Sequence, residues 1–330
     1  MEAARAVPLV NGSPAKAQRG SRRDALVLAV LAALAATLPF FASDFALSMA
    51  LSCLMYVALA SSWSLFCGAT RYLSLATSAF FGVGAYTSAF VLADLPWAAA
   101  IGLGAALAVA VAVVMGSAVL HLRGTYFAVL TFGMTELIRH SITLAEKSLA
   151  GTVGRVLVVV PEPATVYYTV LAIAVGAVLA AMLVRASRLG LAMTGIGGDE
   201  QRAQTLGVDT RRVKVIGFAI TAAFAGAVGA AMSVRWTYID PTTVFNPFIG
   251  FQTVLIALVG GAASLWGPVV AAIVFSVLAE TLRLQLPQVY MMALGLLLIL
   301  CVLYLPDGLA SLGRRGKRVE AAACAEAPRD

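Results

Sequence analysis

Apolar residues along this chain fall into long runs, and short polar stretches that carry most of the charge separate one run from the next. A helix needs about 20 apolar residues to cross a hydrocarbon core of about 30 Å, and most of the runs approach that length. The pattern therefore predicts an all-α, polytopic integral membrane helical bundle with about ten transmembrane segments, some of them short or interrupted. The runs lie at 25–43, 45–66, 72–93, 97–120, 124–145, 165–184, 213–235, 250–263, 266–283 and 286–305.

The composition supports a lipid environment. Hydrophobic residues make up 61% of the 330 residues, charged residues make up 12%, and the mean hydropathy is +0.93. A typical soluble domain has roughly 25% charged residues, which excludes a soluble fold. The net charge of +7 does not require a nucleic-acid partner, because cytoplasmic loops of membrane proteins carry an excess of Lys and Arg. The four cysteines include no CxxC pair, so we predict neither a disulfide nor a metal site.

The basic residues also predict the orientation of the chain. Residues 1–23 contain five of them and form a predicted cytoplasmic tail, which directs the first run outward. A cleaved signal peptide is the alternative, but the first run is long and no A-x-A-like site follows it. From that start, 18 of the 23 Lys and Arg residues lie on the cytoplasmic side if 250–283 crosses twice. We therefore predict a transmembrane domain at 24–312, with a cytoplasmic loop at 185–212, and a cytoplasmic tail at 313–330.

The sequence GGAASLWGP at 260–268 interrupts the helical pattern with paired glycines and a proline. Interrupted helices in transporters often flank a pathway, whereas a helical hairpin needs only a tight cytoplasmic turn; both interpretations are open. Small residues also recur at four-residue spacing, which predicts close packing of helices. Examples are Ala222, Gly226 and Ala230, and Ser78 with Gly82.

The chain lacks the sequence patterns of several catalytic classes. It contains no G-x-x-x-x-G-K-[ST] phosphate loop, and its two histidines, His121 and His140, form no H-E-x-x-H pattern. Ionisable residues do occur inside the run 124–145, where Glu136 precedes Arg139 and His140 by one helical turn and shares a face with them. Such groups either contact a solute or relay protons, or they form a structural ion pair. Both interpretations are open.

A polar stretch at 197–214, GGDEQRAQTLGVDTRRVK, separates two apolar runs. Gly198 and Asp199 offer an N-cap and Gly207 offers an αL C-cap, which predicts a helix of about two turns. A solvated linker has a similar composition, but a linker needs no short capped helix held between two membrane spans. We therefore interpret the stretch as a docking element for a soluble cytoplasmic partner. Glycines at 195, 197 and 198 predict a loosely held approach to that helix.

Several stretches together resemble the LivM-type permease subunit of branched-chain amino acid ABC importers, in the hydrophobic amino acid and urea uptake family. Residues 201–207, QRAQTLG, are similar to the E-A-A-x-x-x-G coupling motif of such importers at Ala203 and Gly207. The sequence SRLGLAMTGIGGDEQRAQTLGVDTRRVKVIGFAITAAFAGAVGA at 187–230 is more specific. Further stretches extend the resemblance over roughly 50–312: YLSLATSAFFGVGAYTSA (72–89), RGTYFAVLTFGMTELIR (123–139), LVGGAASLWGPVVAA (258–272) and YLPDGLASL (304–312).

The resemblance implies a non-catalytic transport subunit of the bacterial inner membrane, with 24–312 as its permease domain. It implies that hydrophobic amino acids move inward while two ABC ATPase subunits hydrolyse ATP with Mg. A LivH-like permease subunit and a soluble solute-binding protein would complete the importer. This chain itself is expected to bind no cofactor and no nucleic acid. The alternatives are a urea or short-amide permease and an ion-driven secondary transporter that uses Glu136 and His140.

Two groups of residues are expected to act in such an importer. The first lies in the coupling loop 185–212 and is expected to contact the ATPase: Asp199, Glu200, Arg202, Ala203, Leu206 and Gly207. The second is the candidate solute pathway, drawn from the SLATSAFFG segment, the TELIRH segment and the interruption at 260–268: Ser74, Thr77, Ser78, Phe81, Gly82, Glu136, Gly260 and Gly261.

Overall fold

The computed structural model describes residues 14–41, 43–122, 124–157 and 161–285, together with 289, 292, 295 and 296. The helices are α1 (Pro14–Phe41), α2 (Asp44–Thr70), α3 (Thr77–Val91), α4 (Trp97–Val119), α5 (Thr125–Ala150), α6 (Pro163–Ala186), α7 (Arg188–Gly198), α8 (Glu200–Thr205), α9 (Thr210–Met232), α10 (Pro241–Val244), α11 (Pro247–Gly260) and α12 (Gly267–Gln285). Two short strands, β1 (Arg155–Val156) and β2 (Tyr238–Ile239), pair antiparallel.

The predicted all-α membrane fold is confirmed. Within the described residues, seven helical stretches are long and apolar enough to cross a bilayer. They are Arg23–Phe41, Asp44–Thr70, Trp97–Val119, Pro163–Ala186, Thr210–Arg235, Pro241–Gly260 and Gly267–Gln285. Helix α3 has only 15 residues, about 22 Å of helix, so it is too short to cross alone. Most of the predicted segment 286–305, Arg123 and the C-terminal tail 313–330 lie outside the described residues, as do residues 1–13 of the N-terminal tail.

Helices α2 and α9 form the centre of the bundle. Helix α9 packs against α3 and α4, whereas α2 packs against α6 and α12. Between the two central helices lies a buried aromatic cluster, in which the ring of Phe218 contacts those of Phe66 at 5.5 Å and Phe80 at 5.1 Å between centroids. Such pairs add stability beyond the apolar area that they bury, and they fix the position of α3 against the two central helices.

Glycines allow α3, α4 and α9 to pack backbone against backbone. A β-carbon at Gly84 would lie 1.9 Å from the carbonyl oxygen of Gly226, so no larger residue fits there. A β-carbon at Gly104 would lie 2.9 Å from the β-carbon of Ala230. The close packing predicted from Gly226 and Ala230 is therefore confirmed. Without a hydrophobic driving force between helices in lipid, such close backbone contact is a main source of their association.

The bundle has two ends, which we name the loop end and the opposite end. The loop end carries α7 and α8, and the opposite end carries the β1–β2 ribbon. The guanidinium of Arg185, at the end of α6, donates to the carbonyl oxygens of Ala263 at 3.1 Å and Ser264 at 2.9 Å. The turn between α11 and α12 therefore also lies at the loop end.

Two predictions from the sequence concern the loop end, of which one was left open and one is wrong. The interruption at 260–268 is a tight turn between two helices, in which a β-carbon at Gly260 would lie 2.4 Å from the Gly267 carbonyl carbon. The expectation of a loose approach to the docking helix is wrong, because α7 stays helical to Gly198. Gly197 instead permits close packing, since a β-carbon there would lie 2.2 Å from the carbonyl oxygen of Ala69 in α2.

Candidate functional site

The predicted capped helix is present as α8, which is six residues long. The carboxylate of Asp199 accepts hydrogen bonds from the backbone N–H groups of Gln201 at 3.0 Å and Arg202 at 3.2 Å. At the other end, Gly207 has φ +85° and donates its N–H to the carbonyl oxygen of Gln204 at 2.9 Å. Asp199 and Gly207 thus act as the N-cap and the left-handed C-cap that the sequence predicts.

Helix α8 has one face toward the bundle and one face away from it. Ala203 is buried, with 4% of its surface exposed. Arg202 has 85% of its side chain exposed and pairs with Asp199 at 3.0 Å, and Leu206 is 83% exposed. An exposed leucine beside a charged pair at the tip of a rigid helix is a suitable contact surface for a soluble protein.

Glu200 does not lie on the exposed face of α8, although the sequence grouped it with the docking residues. Its Oε1 lies 2.8 Å from Lys214 Nζ, and its side chain is 10% exposed against 4% for Lys214. The hydroxyl of Tyr72 donates to Glu200 Oε2 at 2.7 Å, and Lys214 donates to the carbonyl oxygen of Leu120 at 2.7 Å. We refer to Tyr72, Leu120, Glu200 and Lys214 as the buried ion-pair cluster.

Sequence reasoning missed Lys214 and Tyr72 as functional candidates. It counted Lys214 among the basic residues of the loop, although this lysine lies inside the apolar run 213–235. A charged residue within an apolar run indicates a buried partner, and that signal was available. No comparable signal pointed to Tyr72, because its partner Glu200 is 128 residues away.

Residues 71–76 connect α2 to α3 without helical structure. Their backbone groups bond to side chains: Trp63 Nε1 donates to the Ser74 carbonyl at 2.8 Å, and the Leu75 N–H donates to Thr131 Oγ1 at 3.1 Å. The Ala76 N–H donates to Ser74 Oγ at 3.2 Å. Irregular backbone inside a membrane protein requires such internal partners. The interruption that faces the protein interior is therefore here rather than at 260–268.

The pathway candidates of α3 follow this stretch directly. Ser74, Thr77, Ser78 and Phe81 are all buried, with 3% or less of each residue exposed. Two close contacts bring this part of α3 to the break between α10 and α11 and to the start of α11. A β-carbon at Gly82 would lie 2.4 Å from the ring of Phe245 in that break. A β-carbon at Gly250 of α11 would lie 3.2 Å from Ser78 Oγ. Two non-helical breaks therefore meet inside the bundle, around the start of α3.

The remaining pathway candidates lie elsewhere. The carboxylate of Glu136 pairs with the guanidinium of Arg139, three residues further along α5, and lies 3.8 Å from His140 Nε2. Gly260 and Gly261 belong to the turn at the loop end, where Gly261 has φ +87°. The structure thus brings together the α3 candidates but neither the turn nor the Glu136 pair. No group of three metal-ligating side chains occurs in the described part of the chain.

Comparison with known proteins agrees with this architecture. Residues 45–303 match the family described as "Branched-chain amino acid transport system / permease component". The high-affinity branched-chain amino acid transport system permease protein LivM of Escherichia coli K12 is 25% identical over 343 residues, 93% of this chain and 78% of that protein. LivM of Salmonella typhimurium is 24% identical over the same shares.

The permease protein LivH of Salmonella typhimurium is 30% identical over 138 residues, which cover 40% of this chain and 42% of LivH. No solved structure matches the chain. The family match covers most of the chain, including the buried ion-pair cluster, α8 and both breaks in the bundle. The chain therefore belongs to the permease-component family of branched-chain amino acid ABC transporters, as a multi-pass membrane protein and a non-catalytic transport subunit.

Proposed function

We propose that this chain is the LivM-like subunit of an importer that moves branched-chain or other hydrophobic amino acids inward, driven by ATP hydrolysis in partner subunits. The observation that carries the proposal is the geometry of α8. This helix presents Arg202 and Leu206 outward, while Ala203 and Glu200 hold it against the bundle. A rigid element with an exposed tip and a fixed base is what force transfer from a soluble ATPase requires.

The loop end is the cytoplasmic end in this proposal. Basic residues gather there, as the positive-inside rule requires of a cytoplasmic face; those in the described part of the chain include Arg71, Arg185, Arg188, Arg202, Arg211, Arg212 and Lys214. From the basic residues of both tails we propose that the N- and C-termini are also cytoplasmic, in a bacterial inner membrane. Two ABC ATPase subunits, which bind ATP and Mg, dock on this face.

A LivH-like permease is the proposed membrane partner, and a soluble binding protein delivers the solute. The similarity of this chain to LivH over 40% of its length supports a pair of related permease subunits. The proposed path follows Ser74–Gly82 and the start of α11, because irregular backbone in transporters lines the route of the solute. The substrate class rests on the resemblance to LivM and on the printed function of that relative.

The test is uptake into proteoliposomes that contain the chain with its partner permease and ATPases, with the binding protein outside. We expect leucine, isoleucine and valine to enter only when ATP and the binding protein are both present. Uptake of urea or acetamide instead would establish the amide alternative. Uptake that an uncoupler stops while ATP has no effect would establish the ion-driven alternative.

The docking role is tested with Leu206→Asp. We expect loss of this apolar interface contact, at about 1.4 kcal/mol, to lower ATPase association about tenfold. Val156→Asp is the control, because Val156 is also highly exposed, at 65%, but lies at the opposite end. Equal ATPase binding by both variants, measured by co-purification and by titration of the ATPase, would contradict the docking role of α8.

A further inference from the structure

The buried ion-pair cluster connects α8 to three other parts of the chain. We propose that Glu200 is a positioning residue of the transport cycle, which links the position of α8 to the 71–76 stretch through Tyr72 and Lys214. The inference rests on the proposed function, because it requires an ATPase to move α8. It goes beyond that function, because it names the residues through which the movement reaches the candidate path.

The two carboxylate oxygens of Glu200 bind two different elements. Oε1 bonds to Lys214 in α9 at 2.8 Å, and Oε2 accepts the hydroxyl proton of Tyr72, at the start of the non-helical stretch, at 2.7 Å. Hydrogen bonds to an ionised group are shorter and stronger than neutral ones. A displacement of α8 therefore moves both partners with it or breaks one of these bonds.

Lys214 joins Glu200 to the end of α4. Its ammonium donates to the carbonyl oxygen of Leu120 at the end of α4 at 2.7 Å, where the helix dipole favours a positive charge. It also lies 4.8 Å from the centroid of the Tyr72 ring, within range of a cation–π contact. Lys214 thus connects the carboxylate of α8 to α9 and to the end of α4.

Tyr72 transmits the movement toward the candidate path. It is the second residue of the 71–76 stretch, in which hydrogen bonds to side chains, and not helical hydrogen bonds, hold the backbone. Such a stretch can shift without breaking consecutive helical hydrogen bonds. Ser74 and the start of α3 at Thr77 follow within five residues, so a displacement at the tyrosine reaches the buried serine and threonine directly.

Stability alone is a poor explanation for this cluster. Removing two charges from water carries a large desolvation penalty, and apolar residues of similar volume often stabilise a fold as well or better. A charged pair differs from apolar packing in being directional, because its bonds fix which atoms stay together. The directional bonds therefore hold Tyr72 in a fixed position relative to α8.

The experiment compares variants of the whole importer in proteoliposomes and measures solute taken up per ATP hydrolysed. Glu200→Gln with Lys214→Met removes both charges of the pair together. We expect ATP hydrolysis to continue while uptake per ATP falls about tenfold, the change expected from loss of one charge-assisted hydrogen bond. Tyr72→Phe keeps the ion pair and removes the phenol hydroxyl, which donates to Glu200 and accepts from Lys214 at 3.4 Å. A smaller fall in uptake per ATP is expected.

The control is Glu146→Gln with Arg155→Met, which removes a buried carboxylate and its partner at the opposite end. Its uptake per ATP should equal that of the wild type. A wild-type ratio in the double variant of Glu200 and Lys214 overturns the inference. If that variant does not assemble, a wild-type ratio in Tyr72→Phe overturns it. Failure of the wild-type importer to show ATP-dependent, binding-protein-dependent uptake would instead refute the proposed function.

Discussion

Two buried glutamates, one at each end of the bundle, show how differently the two ends are built. At the opposite end, Glu146 accepts the backbone N–H of Gly154 at 2.9 Å and pairs with Arg155 at 3.7 Å. The guanidinium of Arg155 also lies 3.5 Å from the ring centroid of Phe90. The bonds of Glu146 to Gly154 and Arg155 span only eight and nine residues in sequence and hold the loop after α5, and the cluster reaches α3 through the contact of Arg155 with Phe90.

At the loop end, Glu200 has partners 14 and 128 residues away. Its cluster joins α8, α9, the end of α4 and the 71–76 stretch. Burial alone therefore does not define the role of a carboxylate. Its role also depends on how far apart in sequence the elements are that it connects. The bonds of Glu146 hold the loop after α5, whereas the bonds of Glu200 join separate elements, which is the arrangement that the proposed positioning role requires.

The largest effect is expected from a substitution that removes the helix packing on which both clusters depend. Gly84→Leu should prevent assembly of the bundle, because even a β-carbon there would lie 1.9 Å from the Gly226 carbonyl. Overpacking usually costs about 1–3 kcal/mol, and a clash with backbone exceeds that range. Detergent-solubilised yield and gel filtration would measure the loss. Gly102→Leu is the control, since nothing lies within 4 Å of a β-carbon at Gly102, and a similar loss there would contradict the reasoning.

A smaller and more selective effect is expected from single substitutions of the two glutamates. Glu200→Gln removes the carboxylate that lies 2.8 Å from Lys214, whose side chain is only 4% exposed, and breaking a buried pair in this way costs about 3–5 kcal/mol. Glu146→Gln leaves Arg155, which is 40% exposed and retains water, so about 1 kcal/mol is expected. Thermal unfolding of the purified subunit distinguishes the two. Equal losses would mean that the two clusters do not differ in the way proposed.

The smallest effect is expected from substitutions of the glycines that flank the docking helix α8. Gly207→Ala should cost about 1 kcal/mol of local stability, because Gly207 has φ +85° and the left-handed region disfavours a β-carbon. Gly198→Ala, at the end of α7 and with open space around it, should be neutral or stabilising. Hydrogen exchange of the α8 amides would reveal the difference. Greater protection in Gly207→Ala than in the wild type would be the contrary result.

Much of the fold could be predicted because its signals are local. Apolar runs indicate helices wherever each run is long enough, and nine of the ten predicted runs contain a described helix. The caps at Asp199 and Gly207 were also predictable, since capping depends on residues within a few positions of the helix end. The small-residue spacing around Gly226 correctly indicated close helix contact.

The candidate site was harder to predict because its contacts are distant in sequence. Nothing near Glu200 indicates that it points inward, since its neighbours Asp199 and Arg202 are exposed enough to pair with each other at the surface. The glycines near α8 suggested looseness because sequence alone does not show that α2 lies against Gly197. The two breaks that meet near Ser78 involve residues about 170 positions apart, and only the tertiary structure brings them together.

The contact between Gly84 and Gly226 has a consequence for biogenesis. Helix α3 is too short to cross a membrane alone, and its glycine partner in α9 is synthesised 142 residues later. At roughly 5–20 residues per second, the ribosome needs about 7–28 s to reach it. During that interval α3 can pack against α4, which follows it directly, but it lacks the close backbone contact with α9. The packing of α3 is therefore complete only after α9 has been synthesised.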